Sequence, residues 1–389
     1  MPGGAAAIDN RYPVWLSRLK LNHFRNYERL SLNVGERHVV LSGDNGAGKT
    51  NLLEAVSLLS PGRGLRRAMY EMLAHAANGT SHPWSVNAEL NAPGGPVSIG
   101  TGQTSAGEAQ SGRVVRIDQQ PAKLSDELLE HSRVLWLTPA QDGLFTGPTS
   151  DRRRFLDRLV LAIDPQHGRR VSSFDKLMRQ RNRLLEDTHA DPVWLAGIEQ
   201  QMAEAGTAIA SARIELVSLL RTCIEAVFSE SLFPKAVIAL EGTLETALAD
   251  QDSIAVEDQY LTTLSQERYR DRAAGRTLTG PHRTNLAIRH GPKDMEAALC
   301  STGEQKALLI GLVLAHSHLV GDIAGMTPIL LLDEVAAHLD TKRRAALFSH
   351  LDEISTQTWM TGTDRNLFEA LEGRADYFTV NAGEVIADE

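Results

Sequence analysis

The segment Gly43-Asp44-Asn45-Gly46-Ala47-Gly48-Lys49-Thr50 places three glycines, a lysine and a threonine at the spacing of a phosphate-binding loop. Backbone N–H groups must turn inward on phosphate oxygens there, and side chains beyond glycine would block that approach. In such a loop Lys49 reaches the β- and γ-phosphates of a nucleoside triphosphate and Thr50 holds Mg2+. All eight residues are therefore candidate nucleotide contacts. An acidic pair, Asp333-Glu334, ends the apolar run Ile329-Leu330-Leu331-Leu332. Asp333 at a strand end suits Mg2+ bound through water, and Glu334 suits polarising an attacking water. Lys49 and Glu334 are thus the candidate catalytic residues, and Thr50 and Asp333 the candidate metal ligands. A third motif, Ser301-Thr302-Gly303-Glu304-Gln305-Lys306, opens a long apolar helix, and a serine and a glycine at a helix start make a second anion site. It sits too late in the chain to serve the phosphates that Lys49 holds. Two facing subunits solve this, each lending Ser301 and Gly303 to the other's γ-phosphate.

The flanking pattern supplies the elements that must position these groups. His38-Val39-Val40-Leu41 reads as a short strand, and Leu52, Leu53, Val56 and Leu59 recur at helical spacing after the loop. Strand, loop, helix is the required order, with the positive helix end from about Lys49 aimed at the phosphates. Trp15 to Val34 alternates as strands around Asn22-His23-Phe24-Arg25-Asn26-Tyr27, an exposed loop whose aromatics suit stacking on bases or packing on strands. Trp84 to Ile117 reads as an antiparallel meander with one long surface loop from Thr101 to Gly112. At Ser150, expected as a helix N-cap, the character changes. Helices follow to about Arg270. One carries Ile198, Met202, Ala205, Ile209, Ala212, Leu216, Leu219, Cys223 and Ala226 at alternating four and three, a coiled-coil-like seam. The expected organisation is a flexible tail over 1–13, a first ATPase part over 14–149, an inserted helical arm over 150–270 and a second ATPase part over 271–389. The fold class is α/β: a P-loop head with a mixed sheet, an antiparallel meander and a short helical lobe.

The 389 residues allow two or three domains, and 42% hydrophobic with 23% charged residues is ordinary for a globular chain. A net charge of −9 confines any nucleic-acid site to a local patch. Cys223 and Cys300 lack the spacing of a disulfide framework or a zinc site, which points to a reducing compartment. Met1 to Asn10 lacks a basic start and a long apolar run, so a tail rather than a signal peptide is expected. No uninterrupted apolar run approaches the ~18 residues that span a bilayer, and a cytoplasmic location without membrane contact is expected.

The order of P-loop, Ser-x-Gly-Glu-Gln, apolar strand with Asp333-Glu334, then Ala337-His338-Leu339-Asp340 resembles the ABC-type ATPase heads, and within them the SMC-type group. That resemblance implies a D-loop at Leu339-Asp340, Gln141 at the Q-loop position and ATP with Mg2+ as cofactors. A closer resemblance is to the bacterial RecF family. It rests on Leu21 with Phe24-Arg25-Asn26-Tyr27, the Gly-Ala-Gly-Lys-Thr loop, Arg153-Arg154-Phe155-Leu156-Asp157, Gly280-Pro281-His282-Arg283 and the Ser301 motif. RecF proteins carry a short helical lobe where SMC-type heads carry long coiled coils, and about 120 residues here suit the short one.

The RecF resemblance implies an ATP-dependent homodimer on gapped duplex or single-strand/double-strand junctions. It also implies a weak DNA-stimulated ATPase in recombinational repair and replication restart that helps RecO and RecR load RecA. Two departures bear on activity. The signature reads Ser-Thr-Gly-Glu-Gln rather than Ser-Arg-Gly-Gln. After the last strand Thr361-Gly362-Thr363-Asp364 offers no switch histidine, leaving Thr363 for the sensor role, with slow hydrolysis as a consequence. For DNA, fixed cations are needed: Arg63, Arg66 and Arg67, then Arg152 to Arg154, then Arg179, Arg181 and Arg183 are the candidates. For His282-Arg283, contacts between lobes or beside the nucleotide weigh equally with DNA. The ATPase subunit of a membrane transporter shares the P-loop, signature and acidic pair, but would retain the switch histidine and lack the heptad hairpin. A small-molecule kinase has no use for Ser301.

Overall fold

The computed structural model describes residues 11–77, 80–103, 112–187, 191–227 and 231–388. The expected tail over Met1 to Asn10 and most of the loop from Thr101 to Gly112 lie outside them. The chain divides into two compact units. One comprises Met1–Asp142, Glu230–Phe233 and Leu309–Glu389, the other Gly143–Ser229 and Pro234–Leu308.

The first unit begins with β1 (Trp15–Phe24), β2 (Tyr27–Asn33), β3 (His38–Ser42) and helix α1 (Lys49–Ser57). The two-residue strands β4 (Ala76–Ala77) and β5 (Thr80–Ser81) pair as a ribbon. Next come β6 (Ser85–Ala92), β7 (Gly95–Gln103), β8 (Arg113–Ile117), β9 (Gln120–Pro121) and β10 (Val134–Leu137). An antiparallel sheet runs β2-β1-β6-β7-β8-β9. Strand β6 alternates buried and outward residues because only one of its faces is covered. Tyr12 is already tied down: its N–H donates to Gly325 and its carbonyl accepts from Thr327. Residues 11–13 therefore do not extend the expected tail.

The second unit holds α2 (Thr149–Ile163), α3 (His167–Glu186), α4 (Pro192–Val227), β11 (Ala236–Glu241), α5 (Thr243–Ala247), α6 (Ser253–Gln266), α7 (Arg268–Ala274), β12 (Asn285–His290) and β13 (Met295–Glu296). Helix α4 has 36 residues, roughly 54 Å at 1.5 Å per residue. Pro148, not Ser150, is the residue before the first turn of α2, and Ser150 lies inside that helix. The heptad seam holds through Ile198, Met202, Ile209 and Leu216, but further along α4 the buried stripe moves to Val217, Leu220 and Ile224. A straight α-helix drifts about 20° per heptad from a 3.5-residue repeat, so a seven-residue seam cannot stay inward over its whole length. The second unit continues past 270, the expected end of the arm. Strand β11 pairs antiparallel with β12, and β12 with β13, so the chain after the helices returns to a sheet of the same unit.

After that unit come α8 (Thr302–Ala324), β14 (Ile329–Leu332), α9 (Thr341–Ile354), β15 (Thr358–Gly362), β16 (Ala375–Asn381) and β17 (Glu384–Ala387). The unit boundary falls within α8, after Leu308. Helix α8 is long and apolar enough to cross a membrane, but 78% of its most apolar window is buried inside the protein, as in a core helix. The central sheet runs β10-β14-β15-β3-β16-β17, parallel except for β17. Strands β3, β14 and β15 are buried along their whole length, which explains the apolar runs Val39–Leu41 and Ile329–Leu332.

His282 belongs to the core of the second unit. Its ring stacks on Phe174 at 5.8 Å, Nε2 lies 3.0 Å from the Thr277 carbonyl, and Nδ1 is buried without a partner. Burial pulls its pKa from 6.5 down to about 4, against the Thr277 carbonyl, which favours the proton. The neutral ring is the folded form. Stability is fully present above about pH 6.5 and falls by roughly 2–3 kcal/mol as pH drops towards 4, because the unfolded chain takes up the proton first. In His282→Gln, urea unfolding should lose much of that acid sensitivity; an unchanged pH profile would rule His282 out as its source.

Candidate active site

Parallel pairing decides which residues meet. Gly362 of β15 stands opposite Ser42 of β3, and Leu332 of β14 is level with both Met360 of β15 and Leu137 of β10. The carboxyl ends of four strands therefore share one edge, where an open α/β sheet binds ligands. The loop Gly43–Gly48 leaves β3 at that edge and enters α1, whose first two residues are Lys49 and Thr50. Asp333 and Glu334 follow β14 there, and the turn with Gln141 follows β10.

Gly43 and Gly48 have φ values of 140° and 121°. A Cβ on Gly43 would lie 2.2 Å from the Val380 carbonyl oxygen, and one on Gly48 2.5 Å from Asn26 Nδ2 and 2.6 Å from Tyr27 Oη. Packing against the protein's own backbone and side chains, as well as room for phosphate, thus demands these glycines. Asn26 Nδ2 donates to the Ala47 carbonyl and Tyr27 Oη to that of Gly48, at 3.0 and 3.1 Å. Of the two readings of this loop, stacking on bases or packing on strands, the second holds: Phe24 and Tyr27 are fully buried, and Asn26 and Tyr27 brace the loop. Their neighbour Arg25 makes a two-pronged bond to Glu54 of α1, 2.8 Å on each side.

Lys49 is buried, and its ammonium donates to the Gly43 and Asp44 carbonyls at 2.6 and 2.8 Å. Burial lowers its pKa, while Glu334, Asp333 and Asp44 pull the other way. Thr50 Oγ1 donates to the Asp333 carboxylate, 2.9 and 3.1 Å from its two oxygens. A hydroxyl and a carboxylate, both oxygen donors, fit the preference of Mg2+. Thr361 Oγ1 donates to Asp333 Oδ1 at 2.8 Å and accepts the Glu334 N–H at 2.8 Å. Thr361, rather than the exposed Thr363, therefore joins the strand end to the acidic pair. β15 lies between β14 and β3, so a side chain at its end reaches both, whereas two residues later the chain has left the sheet. Glu334 sits at φ 54°, a conformation uncommon for a side chain with Cβ and concentrated at functional sites. Gln141 is half-buried, and its Oε1 accepts the Thr138 N–H at 3.0 Å, fixing its turn at the same edge. Asp340 caps α9 by accepting the Arg343 N–H at 2.9 Å.

In the second unit Ser301 is exposed at the start of α8. Its N–H and Oγ donate to Glu304 Oε2 at 3.0 and 2.9 Å, and Lys293 pairs with the other Glu304 oxygen. Lys293 first, then Ser301, pull the Glu304 carboxyl down to about pKa 2. A Cβ on Gly303 would meet nothing within 4 Å, so this glycine faces open space.

The basic candidates separate. Arg181 is fully buried among Glu199, Asp271, Thr277 and the Leu264 carbonyl, which removes it as a DNA contact. Arg152 is removed too: it donates to Asn285 and to the Leu144, Phe145 and Gly147 carbonyls, closing the turn before α2. Arg153 donates to the Thr284 carbonyl, and Arg154 pairs with Asp151. Arg66 bonds Asn51 and the buried Glu54, so its charge is committed to the loop helix. Arg63, Arg67, Arg179 and Arg183 are exposed. Arg113, which carried no motif signal, holds the Arg63 turn by donating to the Leu58, Ser60 and Gly62 carbonyls.

This sheet, with its loop, acidic pair and helical insertion, defines an ABC/SMC-type P-loop head. The profile of the RecF/RecN/SMC N-terminal domain matches residues 15–384. The chain belongs to the RecF family. It is 57% identical over 374 residues to a DNA replication and repair protein RecF of Rhizobium etli, covering 96% of this chain and 99% of that protein. To RecF of Brucella abortus it is 56% identical over 373 residues, 96% of each. A solved structure of the recombination mediator protein RecF with ATP, in the RecFOR pathway, aligns with a TM-score of 0.85 at 22% identity over 100% of both chains. A Smc head domain from Pyrococcus furiosus, with an extended coiled coil and bound to the C-terminal domain of ScpA, aligns at 0.54 and 14% identity, covering 97% and 96%.

Proposed function

We propose that this chain is a cytoplasmic, ATP-dependent DNA-binding protein of recombinational repair and replication restart. Two copies close around ATP on gapped duplex or single-strand/double-strand junctions, hydrolyse it slowly, and help RecO and RecR partners load a RecA-type recombinase. The observation that carries the reading is the bond from Thr50 to Asp333, which joins loop and acidic pair at one sheet edge. The relatives named above, DNA replication and repair proteins, support the biological setting.

In this reading Lys49 leaves the Gly43 and Asp44 carbonyls for the β- and γ-phosphates, and the α1 amino end faces them. Thr50 and Asp333 hold Mg2+, which when bound offsets phosphate charge and orients the γ-phosphoryl group. Glu334 accepts a proton from the attacking water. Thr361 holds Asp333 and the Glu334 backbone in register, without the proton-carrying side chain that a histidine would bring there, which fits slow turnover. Ser301 and the open Gly303 serve the γ-phosphate of the second copy, across from Asp340 and Gln141. DNA is held by backbone contacts from Arg63, Arg67 and Arg179, so binding weakens steeply with salt.

Ser301→Arg tests the trans arrangement. ATP affinity of the variant should stay near that of the wild type by equilibrium dialysis, while the ATP-induced dimer disappears in sedimentation. An equal loss of nucleotide affinity would place Ser301 in its own subunit's site instead.

A further inference from the structure

Away from the P-loop edge, α8 and α9 bring together His318, His350 and Glu353, with one ligand atom from each within 4.8 Å of the others. His350 and Glu353 are three residues apart on α9 and share a helix face. The two imidazoles are half-buried and the carboxylate is exposed. His318 Nε2 is buried and has no hydrogen-bond partner.

The bonding of His350 sharpens the chemistry. Its Nε2 lies 3.1 Å from Ser231 Oγ and its Nδ1 3.0 Å from Glu353 Oε2. Ser231 Oγ is itself placed by the Phe233 N–H, which donates to it at 3.1 Å. In the tautomer whose Nε2–H donates to Ser231, the neutral ring turns its Nδ1 lone pair towards a carboxylate oxygen; in the other, Nδ1–H donates to Glu353 and Nε2 accepts from Ser231. In the first, two lone pairs at that distance repel unless a cation lies between them, either a proton or a metal ion. One nitrogen of His318 lies within 4.8 Å of a ligand atom of each of the other two.

We propose that His318, His350 and Glu353 bind one divalent transition-metal ion, of which Zn2+ is the type. Two imidazole nitrogens and one carboxylate oxygen select for zinc, cobalt and nickel rather than Mg2+, which prefers oxygen alone. The fourth position is open to water. Tetrahedral ligands at about 2.0–2.2 Å from zinc lie roughly 3.3–3.5 Å apart, so the set must contract slightly, and exposed Glu353 has the freedom to do so. The hydrogen bond from His350 to Ser231 is the outer contact that fixes tautomer and ring orientation. Burial, then Arg11 and His350, lower the pKa of His318, with Asp322 and Glu353 opposing. Bound there, the ion ties the carboxyl-terminal halves of α8 and α9 and the Ser231–Phe233 segment into one rigid piece.

The test uses the full chain, stripped with a chelator and titrated with Co2+ and then Zn2+ in the absence of nucleotide. One Co2+ per chain should bind with the visible absorption of a four- or five-coordinate site, and one Zn2+ should displace it. His318→Gln and His350→Gln should each weaken Zn2+ binding by about 100-fold or more, and Ser231→Ala by about 10-fold, with ATP affinity unchanged as the check on folding. Lowering pH should weaken binding, because protons compete for both imidazoles. Absence of saturable Co2+ binding at micromolar concentration would overturn the proposal and leave His350 Nδ1–H simply bonded to Glu353. Equal binding by wild type and His318→Gln would overturn it as well.

Discussion

Replacing Arg181 by methionine is expected to destabilise the second unit by about 3–5 kcal/mol. Arg181 is fully buried and donates to Glu199 at 3.0 Å, Asp271 at 2.6 Å, Thr277 at 2.9 Å and the Leu264 carbonyl at 2.7 Å. Methionine fills much of the volume, so the loss is electrostatic rather than a cavity. Glu199 keeps Arg268, but among the described residues Asp271 keeps the Leu278 N–H alone for its charge. A buried carboxylate stripped of its partner is the expensive case, because its desolvation is no longer offset. Urea unfolding of the full chain should show the second unit losing structure early, with ATP affinity retained in the first unit. A change below about 1 kcal/mol would mean that the Asp271 carboxylate finds other partners at little cost.

Lys49→Ala should weaken ATP binding by about 100-fold or more. A charge-assisted hydrogen bond to phosphate is worth roughly 1.5–3 kcal/mol, and Lys49 faces two phosphates. The fold should tolerate the change. Its two carbonyl partners, Gly43 and Asp44, belong to a loop open to solvent at Asp44, and burial already disfavours the ammonium. Calorimetric titration measures the affinity and circular dichroism the fold. Wild-type affinity with the lysine removed would contradict the phosphate-binding assignment.

The P-loop, the buried strand before it and the apolar strand ending in Asp333-Glu334 were legible because their chemistry is local: each needs particular residues within a few positions. What depended on three-dimensional neighbours was not. Arg181 and Arg152 carry the same side chain as the exposed Arg179, and only a helix partner or a turn of carbonyls tells them apart. Thr361 and Thr363 are two residues apart, and only the strand order β14-β15-β3 decides which reaches Asp333. Phe24 and Tyr27 read equally as exposed stackers or core until β1 and β2 pair around their turn. The extent of the second unit was hidden because β11 finds β12 across about fifty residues, a pairing no local period encodes.

The central claim is that ATP held by Lys49, Thr50 and Asp333 joins two copies on DNA. Analytical sedimentation with Mg-ATP, alone and with a gapped duplex at low and high salt, tests it most directly. A monomer is expected without nucleotide, a dimer with Mg-ATP, and a dimer–DNA complex that dissociates as salt rises. A species whose mass ignores nucleotide and whose sedimentation ignores the duplex would contradict it.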